Sequence, residues 1–164
     1  MSAREFPDDV YVETCSRLPL PNRDDLPDAA KEMFDYFSDP NSASYVGLRG
    51  PGTIRLHSPE LLTRLTPASR YVRYEAGIPE DVRELAILVT ARAFDSQFEW
   101  TAHEPAALKA GVPEAAIDIV KYRKPVEGAG LAEAHEAIIT LGRQMWEQRK
   151  VPPESYKRVL KLFG

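Results

Sequence analysis

The sequence predicts an all-α fold, a helical bundle of six or seven helices. Three observations carry that expectation. Apolar residues return at spacings of three and four in one segment after another; those segments open on proline with acidic residues and close on glycine; and no stretch alternates with period two for long enough to make a sheet. With 164 residues, 43% hydrophobic and 28% charged, the chain is most economically a single domain with a real core, and its apolar runs fall well short of a bilayer span.

Residues 1–23 hold three prolines and no sustained apolar period, and read as an extended arm of the kind that lies across a neighbouring subunit. The helical domain then runs over 24–164. Its first helix starts near Asp25, with Pro27 in the first turn, and continues through "DAAKEMFDYF" until "SDPNSASYVGLRGPG" supplies breakers. That loop, which ends in "TIRLHS", is long for a compact domain and is a candidate for lining a pocket.

The segment "HSPELLTRLTPASRYVRYEAG" has Ser58 as N-cap, Pro59 at the first helical position, Glu60 in the first turn and Gly77 as its stop. "IPEDVRELAILVTARAF" repeats this grammar from Pro79, and Val82, Leu85, Ala86, Val89 and Ala93 take core-facing spacing. Asp95 or Ser96 then caps "QFEWTAHEPAALKAG", which Gly111 terminates and in which Pro105 predicts a kink or a break. A short helix at "PEAAIDIVKYR", a loop "KPVEGAG", a longer helix in "LAEAHEAIITLGRQMWEQRK" and a last one in "PPESYKRVLKLF" complete the chain.

Charge and cysteine content exclude several function classes. A net charge of −4 with scattered basic residues disfavours nucleic-acid binding. A single cysteine, Cys15, excludes an internal disulfide and a CxxC redox pair, and with only three histidines it leaves no structural zinc set, so no metal is expected. The N-terminus lacks the pattern of a secretory signal, which makes the cytoplasm the expected address, with no membrane association.

The chemistry is concentrated in "DSQFEWTAH". Ser96, Glu99 and His103 lie three, four and seven apart and so share a helix face, with Trp100 beside them. Glu84, on the preceding helix, is an acid bordered by apolar residues, and such surroundings raise a carboxyl's proton affinity. Together with a histidine that titrates near neutrality this is acid–base equipment, and Glu84, Glu99 and His103 are the candidate catalytic residues. The same Glu99–His103 spacing also suits an ordinary surface pair. Arg49 in "GLRGPG" is a candidate anchor for an anionic substrate, and His57, Ser96 and Trp100 are the other candidate binding residues. His57 also suits a capping role, Trp100 a core position, and His135, flanked by acids, a solvated helix face.

The stretch from "LHSPELL" through "RYEAGIPEDVRELAILVTARAFDSQFEWTAHEPAALKAGVPEAAI", roughly residues 55–120, resembles the carboxymuconolactone decarboxylase family, whose relatives include the alkylhydroperoxidase D type proteins. The resemblance implies an all-helical alkylhydroperoxidase D-like domain that assembles into homotrimers or homohexamers, with pockets near subunit contacts. In the peroxidase-like branch a glutamate and a histidine form a proton relay around a CxxC. Aligning Glu84 and His103 with that relay puts Ser96 and Glu99 where the cysteines would stand, and neither can cycle through a disulfide. The decarboxylase branch lacks the cysteines and usually carries a glutamate four residues before the histidine, as Glu99 and His103 are here. The resemblance thus implies a cofactor-free lyase acting on a small cyclic or carbonyl-bearing acid. The protocatechuate-pathway decarboxylases are closer to "NELRGH" than to "FEWTAH", which points to another subgroup and leaves the substrate open. A peroxidase-like protein or a non-catalytic ligand-binding oligomer are the alternatives.

Overall fold

A computed structural model describes residues 6–42 and 44–164, so the first five positions of the expected arm lie outside the described residues. Eight α-helices and no strand are present among them. The chain divides into two compact units, Met1–Val72 and Arg73–Gly164.

In the first unit the arm is more than an extended run. Tyr11 N–H donates to the Ser16 carbonyl at 2.8 Å, and the fully buried Thr14 hydroxyl donates to the Leu18 carbonyl at 2.8 Å, closing a short loop. A 3-10 turn at Arg23–Asp25 precedes α1 (Asp28–Ser38), so the helix starts after Pro27, where the sequence suggested Asp25. The Arg23 guanidinium grips both oxygens of Asp35 at 2.6 Å each and holds that carboxyl below its usual range.

The long loop is shorter than expected, because "TIRL" is helical. Gly50 sits at a φ of 61°, donates its N–H to the Thr14 carbonyl at 2.8 Å, and starts α2 (Pro51–Leu56) with Pro51 in its first turn. Helix α3 (Pro59–Arg70) follows and continues into a π-helical turn, Tyr71–Glu75. Leu26, Ala30, Leu56 and Leu62 form this unit's core, with Met33, Phe34 and Leu48 against it.

The second unit is organised around α4 (Glu80–Ala93), which packs against α5 (Gln97–Lys109), α6 (Glu114–Lys121) and α7 (Glu133–Trp146); α8 (Pro153–Phe163) covers α7. Two stripes of α4 are buried. Val82, Leu85 and Val89 form the stripe the spacing predicts, and Glu84, Leu88 and Ala91 form a second one at the same three-and-four rhythm. The core joins Leu85, Leu88 and Val89 to Ala107, Ile117, Val120 and Ile139.

Pro105 does not break α5. It withholds only the bond that its missing N–H would give to the Thr101 carbonyl, and the turns on either side continue. The helix ends as the sequence predicts. Gly111, at a φ of 91°, lets the Val112 N–H reach back to the Ala107 carbonyl at 2.9 Å, and both of those side chains are buried.

Gly142 on α7 has a different purpose. A Cβ there would collide with Cγ1 of Val89, so glycine permits the close approach of α7 to α4. Gly142→Ala is therefore expected to destabilise the protein by roughly 1–3 kcal/mol, the usual range for an overpacked core, measured as a lowered urea midpoint with an unchanged m-value.

Candidate functional site

Two helices build the site. Asp95, at a φ of 49° and ion-paired with Arg92, reverses the chain after α4, and Ser96 takes the N-cap position of α5 without a side-chain capping bond. The reversal lays α5 back along α4 and brings Glu84 opposite His103. Both are buried, with side chains 1% and 4% exposed, and His103 Nδ1 lies 2.7 Å from Glu84 Oε2.

The chemistry of this contact follows from the charge on Glu84. Burial alone pushes the carboxyl up, as the sequence suggested. The hydrogen bonds and charges of His103 and Arg83 outweigh that and hold it below its ordinary value, which corrects the expectation of a raised proton affinity. Glu84 is therefore a carboxylate, and His103 Nδ1–H donates to it. That contact orients the ring and directs Nε2 away from Glu84.

Nε2 points toward the third acid. Glu99 Oε2 stands 3.6 Å from it, beyond direct hydrogen-bond length but close enough for a bridging water or a substrate oxygen. Glu99 is 36% exposed, so this end of the triad opens toward solvent while the Glu84 end is closed. The structure thus brings together the three residues singled out as catalytic, in the order Glu84, His103, Glu99.

The other candidates have these surroundings. Trp100 packs against the core, with the Lys121 ammonium 5.8 Å from its ring centre and a buried indole N–H that has no hydrogen-bond partner among the described residues. His57 and Arg49 belong to the first unit. His57 Nε2 donates to the Pro19 carbonyl at 2.8 Å, tying the arm to the end of α2, and Arg49 is exposed. Cys15 lies in the arm at a φ of 50°.

The solvated-face reading of His135 is overturned. It is 5% exposed, and its Nε2 bonds Asp81 Oδ2 at 2.8 Å across the α4–α7 contact. The signal was present, since His135 precedes Ile138, Ile139 and Gly142 by three, four and seven residues and so lies on the buried stripe of α7.

Two further arrangements help to define the site by contrast. A hollow of about 10 Å³, room for one water, lies among Val89, Arg92, Arg123, Ile139 and Arg143. Its guanidinium groups are engaged by backbone carbonyls near helix C-termini, Arg92 with Lys121 at 3.0 Å and Arg143 with Ile119 at 3.0 Å, a capping role. Among the described residues no group of three or more His, Cys, Asp or Glu side chains is placed to hold a metal ion, and no helix is long and apolar enough to cross a membrane.

Comparison with known sequences agrees with this architecture. Residues 59–138, from the start of α3 into α7, match the Carboxymuconolactone decarboxylase family, and this segment belongs to that family. No curated protein and no solved structure matches the chain.

The depressed Glu84 carboxyl has a consequence for stability. A group whose folded value lies below its unfolded one adds stability above the unfolded value, near 4.5, and that stability is lost as pH falls through the lower folded value. Glu84→Gln is expected to cost about 1–3 kcal/mol at pH 7, as for a compromised buried hydrogen bond. The variant's urea midpoint should also fall less steeply than that of the wild type below about pH 4.5.

Proposed function

We propose that the protein is a cofactor-independent lyase, decarboxylating a small cyclic or carbonyl-bearing acid or carrying out a closely related proton transfer on such a compound. The observation that carries this reading is the buried Glu84–His103 bond with Glu99 at its open end. A buried carboxylate behind an imidazole orients the ring and stabilises its charged form, the arrangement that makes a histidine an effective proton carrier.

In the proposed reaction the substrate supplies its own electron sink. Loss of CO₂ leaves a carbanion that a neighbouring lactone or enone carbonyl delocalises, and a proton from His103 Nε2 or from a neutral Glu99 then closes the cycle at carbon. Solvent returns the proton through Glu99, the exposed member of the set. Glu84 keeps its charge throughout and steadies the imidazolium. Family membership supports a lyase. A thiol peroxidase is disfavoured, since Ser96 and Glu99 stand where that branch places its two cysteines and the chain's single thiol is in the arm. A cytoplasmic homotrimer or homohexamer is part of the same proposal.

The test is CO₂ release by metal-free protein from a panel of small unsaturated lactone acids, beginning with carboxymuconolactone. On any substrate turned over, His103→Ala and Glu84→Gln should lower turnover by about 10²–10⁴-fold, the usual contribution of a positioned acid or base, with the helical circular dichroism retained. Wild-type turnover in either variant contradicts the assigned roles.

A further inference from the structure

The geometry points to Arg83 as a positioning residue that supplies the counter-charge for Glu84 and thereby sets the pH at which the outer nitrogen of His103 takes up the proton it transfers. This rests on the proton-transfer reading of the Glu84–His103 pair. Residues adjacent in a helix do not face one another, so Arg83 and Glu84 have no default contact. Here the guanidinium is folded back. Its Nε donates to Glu84 Oε1 at 3.2 Å, Nη1 to the Arg73 carbonyl at 2.7 Å and Nη2 to Glu80 Oε1 at 3.0 Å. Its central carbon stands 5.4 Å from the centre of the Tyr74 ring.

Three directional bonds and a stacked ring hold the group in one plane, and the side chain is only 12% exposed. The seat is formed by the π-helical turn Tyr71–Glu75, which contributes both the Arg73 carbonyl and the Tyr74 ring. Turns of this type break the regular helical ladder and occur often at functional sites.

The physical need for this seat lies in the charge of the pair behind it. Whenever the imidazole is neutral the pair carries one negative charge, and a buried charge without a counter-charge recruits a proton. The recruited proton leaves the pair neutral, either as carboxylate with imidazolium or as carboxylic acid with the other imidazole tautomer. Both states place a hydrogen on Nε2, the atom the proposed reaction uses. The guanidinium on Oε1 weakens that pressure, so Nε2 can give up the proton as well as gain it. Charged groups on the elements packed around α4 are themselves engaged: Glu99 on α5 stands by Nε2, His135 on α7 is bonded to Asp81, and Lys121 on α6 is bonded to Glu104 at 2.8 Å.

The experiment needs no substrate. The full chain, labelled with ¹⁵N in its histidines, is titrated with pH, and the His103 signals are identified by their loss in His103→Ala. Arg83→Gln is expected to raise the pH at which the pair takes up its next proton by about one unit or more. Arg83→Lys, which keeps the charge and loses the fork, should return most of that shift. Tyr74→Ala removes an exposed ring and should move the titration the same way by less, and it serves as the test if Arg83→Gln does not fold. An unchanged titration in the folded Arg83→Gln variant, or in Tyr74→Ala if that variant does not fold, overturns the role of Arg83. The lyase reading fails separately, through undiminished turnover in His103→Ala, which leaves the titration result standing.

Discussion

The bond between Glu84 and His103 constrains how α5 lies on α4 in the second unit. Burying a carboxylate is strongly unfavourable unless its oxygens are hydrogen-bonded to donors, preferably charged ones. Here Oε2 is met by the imidazole and Oε1 by Arg83, and the first of these contacts requires α5 to lie against the second buried stripe of α4. Much of the rest follows from that requirement, including the sharp reversal at Asp95 and the placement of His103 and Ala107 one turn apart, facing inward. The pair specifies a register that apolar packing alone would leave less sharply defined.

Helix α4 can hold this polar pair because apolar contacts surround it. Leu85 and Leu88 flank Glu84 and are fully buried, so water has little access to the carboxylate from either side. Val89 meets the bare backbone of Gly142 and draws α7 in close, while the Asp81–His135 bond ties the first turn of α4 to the first turn of α7. Two acid–histidine pairs, one buried and one with its acid partly exposed, therefore clamp α4 to two different neighbours. They differ in what lies beyond the ring, since His103 has Glu99 beside its second nitrogen whereas the Nδ1 of His135 is buried with no hydrogen-bond partner among the described residues. The first arrangement suits proton transfer and the second suits fixing two helices.

Much of this was legible in the sequence, and the exceptions have physical causes. Helices α4, α6 and α8 announce themselves by their proline and acidic starts and α5 by its glycine stop, and the grouping of Glu84, Glu99 and His103 could be read from spacing and family resemblance. The helix at Pro51–Leu56 escaped notice because six residues carry too short a period to recognise and its stability comes from burial of Thr53 and Leu56. Of the kink or break expected at Pro105, the break does not occur, because one missing donor near the middle of a packed helix is a tolerable loss. The sign of the Glu84 shift depends on the partners of a single carboxylate, and the contact with Arg83 joins residues that a helix ordinarily separates.

The lack of paired thiols agrees with the proposed proton-transfer site. The account stands on Glu84 and His103 acting as one charge-assisted unit within the folded protein. A double-mutant cycle measures that unit directly: urea unfolding at pH 7 of the wild type, Glu84→Gln, His103→Gln and the double variant. The coupling energy should be about 1.5–3 kcal/mol, the range for a hydrogen bond to a charged group. A coupling within about 0.3 kcal/mol of zero, the level expected of independent sites, would show that the two side chains do not act together and would contradict the account.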